Sequence, residues 1–405
     1  MIYKLKDICI KVTDGSHFSP KAQEEGYPMF SVKDMLEYGF NYTSCKRISK
    51  QDFEKMQSSG CVPQEGDVLV AKDGSYLKEI FVCTETKNEA ILSSIAIFRP
   101  NQEIVNPYYL CYLLKSPQIY NYIASNCVSG SALPRIVLKD FKEVEMEVPD
   151  MSTQTKIVNI LKNIDYKIQN NYKINRNLQE QAQLIFEDKY GKYPVISIDS
   201  GKIDIPEGWN YFRLGDLCLH VKPGTNYQPK RVEQGIPFLN VKCVNGGYID
   251  TSDAKLITEE EYKYVHKTWK PEENDLLISR IGTLGLVAVI RKEDLPIAVH
   301  YNFINIKAKV LPFEFMFFLL KSKSFQRAYH LIKKNSVQEY VTIDEVADLK
   351  IPLPVDLSKA DFSQYKYMYE MILNIQRENK GLKELRDSLL PQVMSGKLDV
   401  SKLNI

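Results

Sequence analysis

Apolar residues along this chain follow two different rhythms. In two regions they come in short runs closed by Gly, Pro or Asp: DVLVA at 67–71, AILSSIAIFRP at 90–100, LLISR at 276–280 and LVAVIRK at 286–292. Such runs predict short buried strands. NPYYLCYLLKSPQIYNYI at 106–123 and LPFEFMFFLLKSKSFQRAYHLI at 311–332 each predict a helix with a proline in its first turn. The two regions therefore read as α+β domains with more strand than helix.

Each region is followed by a longer, slower rhythm. Between Thr155 and Phe186 apolar residues fall at heptad spacing at Ile157, Leu161, Ile164, Ile168, Leu178, Ala182 and Ile185, with Asn171 and Asn175 interrupting the stripe. From Tyr365 the pattern returns as Met368, Ile372, Ile375, Asn379, Leu382, Leu389 and Val393. Each segment predicts a helix of about 35 residues, hence about 50 Å long. A lone amphipathic helix of that length needs a partner, and the obvious one is its counterpart. Ile164, Ile168, Asn175 and Leu178 are the expected pairing residues on the first helix, and Ile375, Asn379 and Leu382 on the second. Asn175 and Asn379 occupy corresponding positions. They are either surface residues of an imperfect heptad or buried polar groups that fix register at some loss of stability.

The recurrence of both rhythms reflects a duplication. Placing Leu5 on Leu214 lays LKDICIKVTDGSHFSPKAQEEGYPMFSVK over LGDLCLHVKPGTNYQPKRVEQGIPFLNVK without a gap, and 12 of the 29 positions are identical. Unrelated sequence would give roughly one in twenty. Asp67, Leu69, Lys72, Gly74 and Ser75 then meet Asp275, Leu277, Arg280, Gly282 and Thr283, and LLKS at 113–116 returns at 319–322. The chain reads as a first module over 1–150, a helix over 151–190, a linker over 191–208, a second module over 209–355, and a second helix with a tail over 356–405.

Composition changes this picture little. Across 405 residues, 53 Lys and Arg stand against 51 Asp and Glu, a formal charge of +2. That excludes a chain that coats nucleic acid by bulk charge but allows local basic surfaces. The stretch from Lys321 to Asn335 holds Lys321, Lys323, Arg327, Lys333 and Lys334 with no acid. The N-terminus lacks a signal-peptide layout, no apolar run reaches membrane-spanning length, and the eight cysteines form no C-x-x-C pair. The expectation is a cytoplasmic chain with reduced thiols, no metal site and no membrane contact.

Catalytic constellations are sparse. NPYY at 106–109 resembles the N-P-P-Y motif of DNA amino-methyltransferases, but it lacks the second proline, and no G-x-G loop follows a strand to take the cofactor. Proline capping of a helix accounts for it. Glu85, Lys87 and Asp67 could be forced into a nuclease pattern, yet the second module has no counterpart to Glu85-x-Lys87. What the two modules share suits binding. GSHFSPK and GTNYQPK each supply a Gly turn, a hydroxyl, a hydrogen-bonding side chain, an aromatic and a lysine. AKDGS and SRIGT each supply a cation, a Gly and a hydroxyl after a strand. Such groups contact phosphates and base edges. The candidate DNA-binding residues are Lys11, Gly15, Ser16, His17, Lys21, Lys33, Lys72, Gly74 and Ser75 in the first module. Those in the second are Lys222, Gly224, Thr225, Asn226, Lys230, Lys242, Arg280, Gly282 and Thr283. The alternative is a pair of ordinary turns inherited from one ancestral module.

Three segments carry a family resemblance: LPRIVLKDFKEVEMEVPDMSTQTKIVNILKNIDYKIQNN at 133–171, IPEGWNYFRLGDL at 205–217 and LKELRDSLLPQVMSGKLDV at 382–400. With the tandem of module and helix, the chain resembles the specificity (S) subunit of type I restriction-modification systems over essentially its whole length. The resemblance implies two target-recognition domains, each reading half of a bipartite site in double-stranded DNA. It also implies that the helices pack as an antiparallel coiled coil, set the half-site spacing and dock two methyltransferase subunits, which restriction and translocase subunits join. The chain itself would be non-catalytic and without cofactor. S-adenosylmethionine, ATP and Mg would belong to the partner subunits. The competing reading is a stand-alone DNA-binding restriction enzyme or DNA methyltransferase.

Overall fold

The computed structural model describes residues 1–74, 76–130, 134–197, 204–252, 254–334 and 338–400. The chain divides into two compact units, one of residues 1–172 and 377–405, the other of residues 173–376. The division falls inside both long helices, so each unit holds one module with part of each helix.

The first unit begins with β1 (Ile2–Lys4), β2 (Cys9–Asp14), β3 (Tyr27–Phe30) and β4 (Lys46–Ile48), followed by α1 (Lys50–Ser58). It continues through β5 (Val68–Ala71), β6 (Ile80–Val82), β7 (Ala90–Ile91) and β8 (Ile95–Pro100) to α2 (Pro107–Lys115), α3 (Pro117–Asn126), β9 (Glu145–Glu147) and α4 (Met151–Lys189). An antiparallel sheet runs in the order β2-β8-β5-β6, and a smaller one runs β4-β3-β7 with β3 and β7 parallel. β1 pairs with β9 and ties the start of the module to its end. Val68, Leu69, Val70 and Ala71 are all buried, because β5 is central and covered on both faces.

The second unit repeats this plan. It holds β10 (Trp209–Arg213), β11 (Cys218–Pro223), β12 (Ile236–Leu239), β13 (Lys255–Ile257), α5 (Glu259–Val265), β14 (Leu276–Ser279), β15 (Val287–Val289), β16 (Ala298–Val299) and β17 (Phe303–Ala308). Then come α6 (Phe313–Lys321), α7 (Lys323–Leu331), β18 (Lys350–Pro354) and α8 (Ser363–Met394). The sheets run β11-β17-β14-β15 and β13-β12-β16, and β10 pairs with β18. Strand order and sense thus match in the two units, as the duplication requires.

The predicted helices 106–123 and 311–332 are corrected, since each is two helices broken at a buried serine. At Ser116 the following Pro117 holds the backbone extended, at φ −64° and ψ 141°. Ser322 takes nearly the same angles without a proline, and its hydroxyl caps α7 by accepting from Phe325 N. Pro312 is also the N-cap of α6, outside the first turn. Within the predicted linker, Val195 and Ile196 are buried, and Ile196 exchanges backbone hydrogen bonds of 3.1 and 2.8 Å with Lys350.

The long helices pair antiparallel in each unit. In the first, Asn379 Nδ2 donates to Ile168 O at 3.3 Å and Asn171 Nδ2 to Glu378 Oε2 at 2.7 Å. In the second, Asn175 Nδ2 donates to Ile372 O at 3.1 Å. Asn175 and Asn379 are both buried, so they are not surface residues of an imperfect heptad. Ile168 is fully buried, whereas Ile164, Leu178, Ile375 and Leu382 are half-buried at the edges of the seam. The assignment of Ile185 to the stripe is corrected: it is exposed, and Phe186 one position on is buried against Phe315 and Tyr365. The same offset is present before the asparagines, where Asp165 is buried and Ile164 only half-buried, while Leu161, Ile168, Asn175 and Ala182 keep strict seven-residue spacing.

In the first unit the pairing includes a charged cluster. Arg386 Nη1 donates to Glu37 Oε1 (2.7 Å), Tyr38 OH (2.8 Å) and Asp165 Oδ1 (2.9 Å). Asp165 also accepts from Tyr38 and Tyr112 hydroxyls at 2.8 and 2.6 Å. Burial, then the Asp165 charge, push both phenols up, so they remain donors. Burial alone would raise Glu37, but Lys383 at 2.8 Å and Arg386 outweigh it and hold that carboxyl down at about 2.

Candidate nucleic-acid interface

β2 runs directly into the turn Gly15-Ser16-His17-Phe18. Gly15 N donates to Ile95 O at 3.0 Å, Ser16 N to Ile91 O at 2.8 Å, and Ser93 N returns to Ser16 O at 2.9 Å. A Cβ on Gly15 would lie 2.3 Å from Ile91 O, so only glycine allows the strand to approach this closely. The second unit repeats the anchorage after β11. Gly224 N donates to Phe303 O at 3.0 Å, Thr225 N to Val299 O at 2.8 Å and Tyr301 N to Thr225 O at 2.8 Å. A Cβ on Gly224 would sit 2.2 Å from His300 O.

The hydroxyls of Ser16 and Thr225 also make hydrogen bonds inside these turns. Ser16 Oγ accepts from Phe18 N at 3.1 Å and donates to Phe18 O at 2.8 Å, and Thr225 Oγ1 accepts from Tyr227 N at 3.1 Å. These are local side-chain turns that set the direction of the next two residues. Those residues are what the turns present. The His17 side chain is 77% exposed, with Nε2 3.4 Å from Asp14 Oδ2, and Asn226 is exposed as well. Phe18 is 49% exposed and Tyr227 37%.

Other expected residues divide between free and engaged. Lys21 and Lys230 are exposed beyond the turns, as are Lys33 and Lys242, which occupy matching 3-10 turns after β3 and β12. Lys222 is half-buried on β11, and Lys11 Nζ is held at 3.1 Å by Gly60 O. Lys72 is corrected as a free phosphate contact: its side chain is 9% exposed and its ammonium lies 2.8 Å from Asp14 Oδ2. The cause is topological. β2 and β5 both flank β8, so their ends bring Asp14 and Lys72 together. In the second unit Pro223 takes the place of that carboxylate, and Arg280 Nε instead donates to Val341 O at 3.0 Å. Gly74 and Gly282 both adopt positive φ, at 68° and 80°, and donate to Pro134 O and Glu339 O at 2.8 and 3.3 Å. Thr283 is exposed, while Ser75 lies outside the described residues.

The basic stretch beginning at Lys321 is also largely engaged. Lys321 is turned inward, donating to Gln179 Oε1 at 2.7 Å, and burial pushes its ammonium down to about 8. Lys333 and Lys334 pair with Glu339 and Glu345 at 2.6 and 3.2 Å.

Sequence patterning missed the residues that support the exposed aromatics. Lys55 of α1 places its ammonium 4.6 Å from the Phe18 ring centroid, and Tyr264 of α5 lies 5.3 Å from the Tyr227 ring. Both sit at exposed helical positions that carry no periodic signal.

The groups weighed for chemistry have structural partners. Asn106 Oδ1 caps α2, accepting from Tyr108 N and Tyr109 N at 2.9 and 3.4 Å. Asp67 is fully buried and gripped by Arg99 at 2.7 and 2.9 Å, and Lys87 pairs with Glu85 at 2.7 Å. Among the described residues no helix is long and apolar enough to cross a membrane.

Comparison with known proteins agrees with the duplicated plan. A family model described as a type I restriction modification DNA specificity domain matches residues 1–180 and again 206–384. The MjaIX type I restriction enzyme specificity subunit of Methanocaldococcus jannaschii is 27% identical over 420 residues, spanning 99% of this chain and 94% of that one. The MjaVIII specificity subunit of the same organism is 24% identical, spanning 93% of this chain and 90% of its own length. A crystal structure of a type I restriction-modification system S subunit from M. genitalium shares the fold, with a TM-score of 0.51 at 16% identity, covering 97% of this chain and 95% of that chain.

Proposed function

The chain belongs to the type I restriction modification DNA specificity domain family, and on that premise we propose that it is the sequence-reading subunit of a type I restriction-modification complex. Each unit reads one half of a bipartite site in double-stranded DNA. The paired helices set the distance between halves and dock two methyltransferase subunits, which restriction and translocase subunits then join. S-adenosylmethionine, ATP and Mg bind to those partners, and this chain supplies specificity rather than chemistry.

The observation that carries this reading is the pair of turns at Gly15 and Gly224. Their backbone anchorage is the same bond for bond, yet the residues they present differ: His17 and Phe18 in one, Asn226 and Tyr227 in the other. A constant mount with changed side chains is what two related readers of unequal half-sites require. Lys21, Lys33, Lys230 and Lys242 stand exposed around them to position the phosphate backbone. With a formal net charge of only +2, binding by this chain alone is weak, and the methyltransferase subunits supply much of the grip.

The test is the methylated motif in a host carrying this chain with its methyltransferase. A two-part motif with an unread gap is expected. Exchanging residues 209–355 for the corresponding module of another family member should change one half only. A change in both halves, or methyl transfer by the purified chain alone, would overturn the proposal.

A further inference from the structure

Resting on the reading above, we propose that the contact pairs Phe18–Lys55 and Tyr227–Tyr264 are specificity-determining elements, each reading base edges in the half-site of its own unit.

The four residues occupy matching places. Phe18 and Tyr227 each stand two residues past the hydroxyl of the anchored turn. Lys55 and Tyr264 each stand six residues past the N-cap of their helix, Ser49 for α1 and Thr258 for α5. The backbone therefore brings the same two positions together twice, at 4.6 Å between ammonium and ring in one unit and 5.3 Å between rings in the other. The chemistry differs at both positions. The first unit offers an apolar ring with an ammonium beside it. The second offers two phenols, with Lys267 Nζ 4.2 Å from the Tyr264 ring.

Folding does not account for these pairs. An exposed cation–ring contact contributes only about 0.5–1 kcal/mol, and Phe18 remains 49% exposed and Tyr264 55% exposed. Yet the mount is rigid: Gly15 and Ser16 are bonded to β7, β8 and their connection, and Ser16 Oγ closes the turn on both the N and O of Phe18. In the second unit a further tether is present, because Glu261 Oε1 accepts from Lys230 N at 3.0 Å and lies 3.5 Å from the Tyr227 hydroxyl. Groups held rigidly and left in water are preorganised for a ligand. A lysine ammonium suits the O6 and N7 acceptors of guanine, a ring packs on the thymine methyl or a base face, and phenol hydroxyls both donate and accept. The pair thus gives each unit a chemically distinct reading surface on a common scaffold.

The test uses the full chain with its methyltransferase and reads methylated sites across the host genome. Lys55→Ala should relax one base pair in one half, with about a 5- to 140-fold loss of discrimination. That range is the 1–3 kcal/mol of a base-edge contact converted at 1.4 kcal/mol per decade. The other half should be untouched. Tyr264→Ala should do the reverse, and Lys55→Arg should keep the original base preference. Lys55 and Tyr264 are exposed, so melting temperatures should fall by no more than about 2–4 °C. If Lys55→Ala and Tyr264→Ala leave both halves read as before, or if either weakens both halves equally, the pairs are not readers. The exchange of residues 209–355 runs in parallel. If that exchange changes one half while the point variants change nothing, this proposal fails and the modular reading stands. If the exchange changes both halves, the modular reading fails and takes this proposal with it.

Discussion

Arg386→Met tests the charged cluster that joins the second long helix to the first module. Arg386 binds three acceptors within 2.9 Å, two of them the carboxylates of Glu37 and Asp165. Removing one partner of a buried ion pair costs about 3–5 kcal/mol, because the remaining charge is left uncompensated. Here both carboxylates keep other donors: Asp165 retains two tyrosine hydroxyls and Glu37 retains Lys383. Methionine also preserves the apolar stem. The expected cost is therefore at the lower end, about 3 kcal/mol. For a unit of about 200 residues that corresponds to a fall of about 6–12 °C in melting temperature. With a urea slope of about 3 kcal/mol/M, the midpoint should fall by about 1 M. The assay has a built-in control, since both tryptophans, Trp209 and Trp269, belong to the second unit. Fluorescence reports that unit, while circular dichroism sees the whole chain. The variant should shift the dichroism transition and leave the fluorescence midpoint in place. Asp165→Asn added to Arg386→Met should recover part of the loss by removing the stranded charge. A cost below about 1 kcal/mol, or strict additivity in the double variant, would refute this account of the cluster.

Asn175→Leu with Asn379→Leu should raise the melting temperature while loosening helix register, because apolar burial replaces one hydrogen bond to a backbone carbonyl at each site and one accepted from Gln179 by Asn175. Unchanged melting together with an unchanged gap in the methylated motif would contradict it. Gly15→Ala should abolish recognition of one half-site and Gly224→Ala the other, since the added carbon meets a carbonyl oxygen at 2.3 or 2.2 Å. Retained two-part methylation would count against the anchored turns. Acid should weaken the second unit first. Burial lowers His220, His266 and His300 below the ordinary 6.5. Folding therefore favours their neutral forms, and that contribution is complete above about pH 6.5 and declines as pH falls below it. His220 Nε2 lies 2.9 Å from the Asn305 amide nitrogen, a contact that needs the unprotonated ring. Tryptophan fluorescence between pH 7 and 5 should show a falling urea midpoint, and a flat profile would dismiss the histidines as the cause. Glu37 acts in the first unit at lower pH: held at about 2, it stabilises above its ordinary 4.5, and that stability is lost as pH falls toward 2.

The sequence by itself determined the duplication, the two long helices and the glycines of the anchored turns. These are local facts. Heptad spacing depends on neighbours within one helix, and a glycine repeated at one register marks a backbone position that excludes a side chain. The buried state of Asn175 and Asn379 was half legible, as an interruption at matching positions, and the partner carbonyls settled it. Tertiary structure decided the rest. Lys72 reads as a free cation until strand order places Asp14 beside it, and Ser16 reads as a free hydroxyl until the turn closes on it. Lys55 and Tyr264 carry no signal in the chain, because their meaning arises only when a helix 37 residues further along is folded back against the turn. Sequence spacing reports which residues share an element. Whether a charge stays free or finds a partner depends on contacts between elements, and only the fold supplies those.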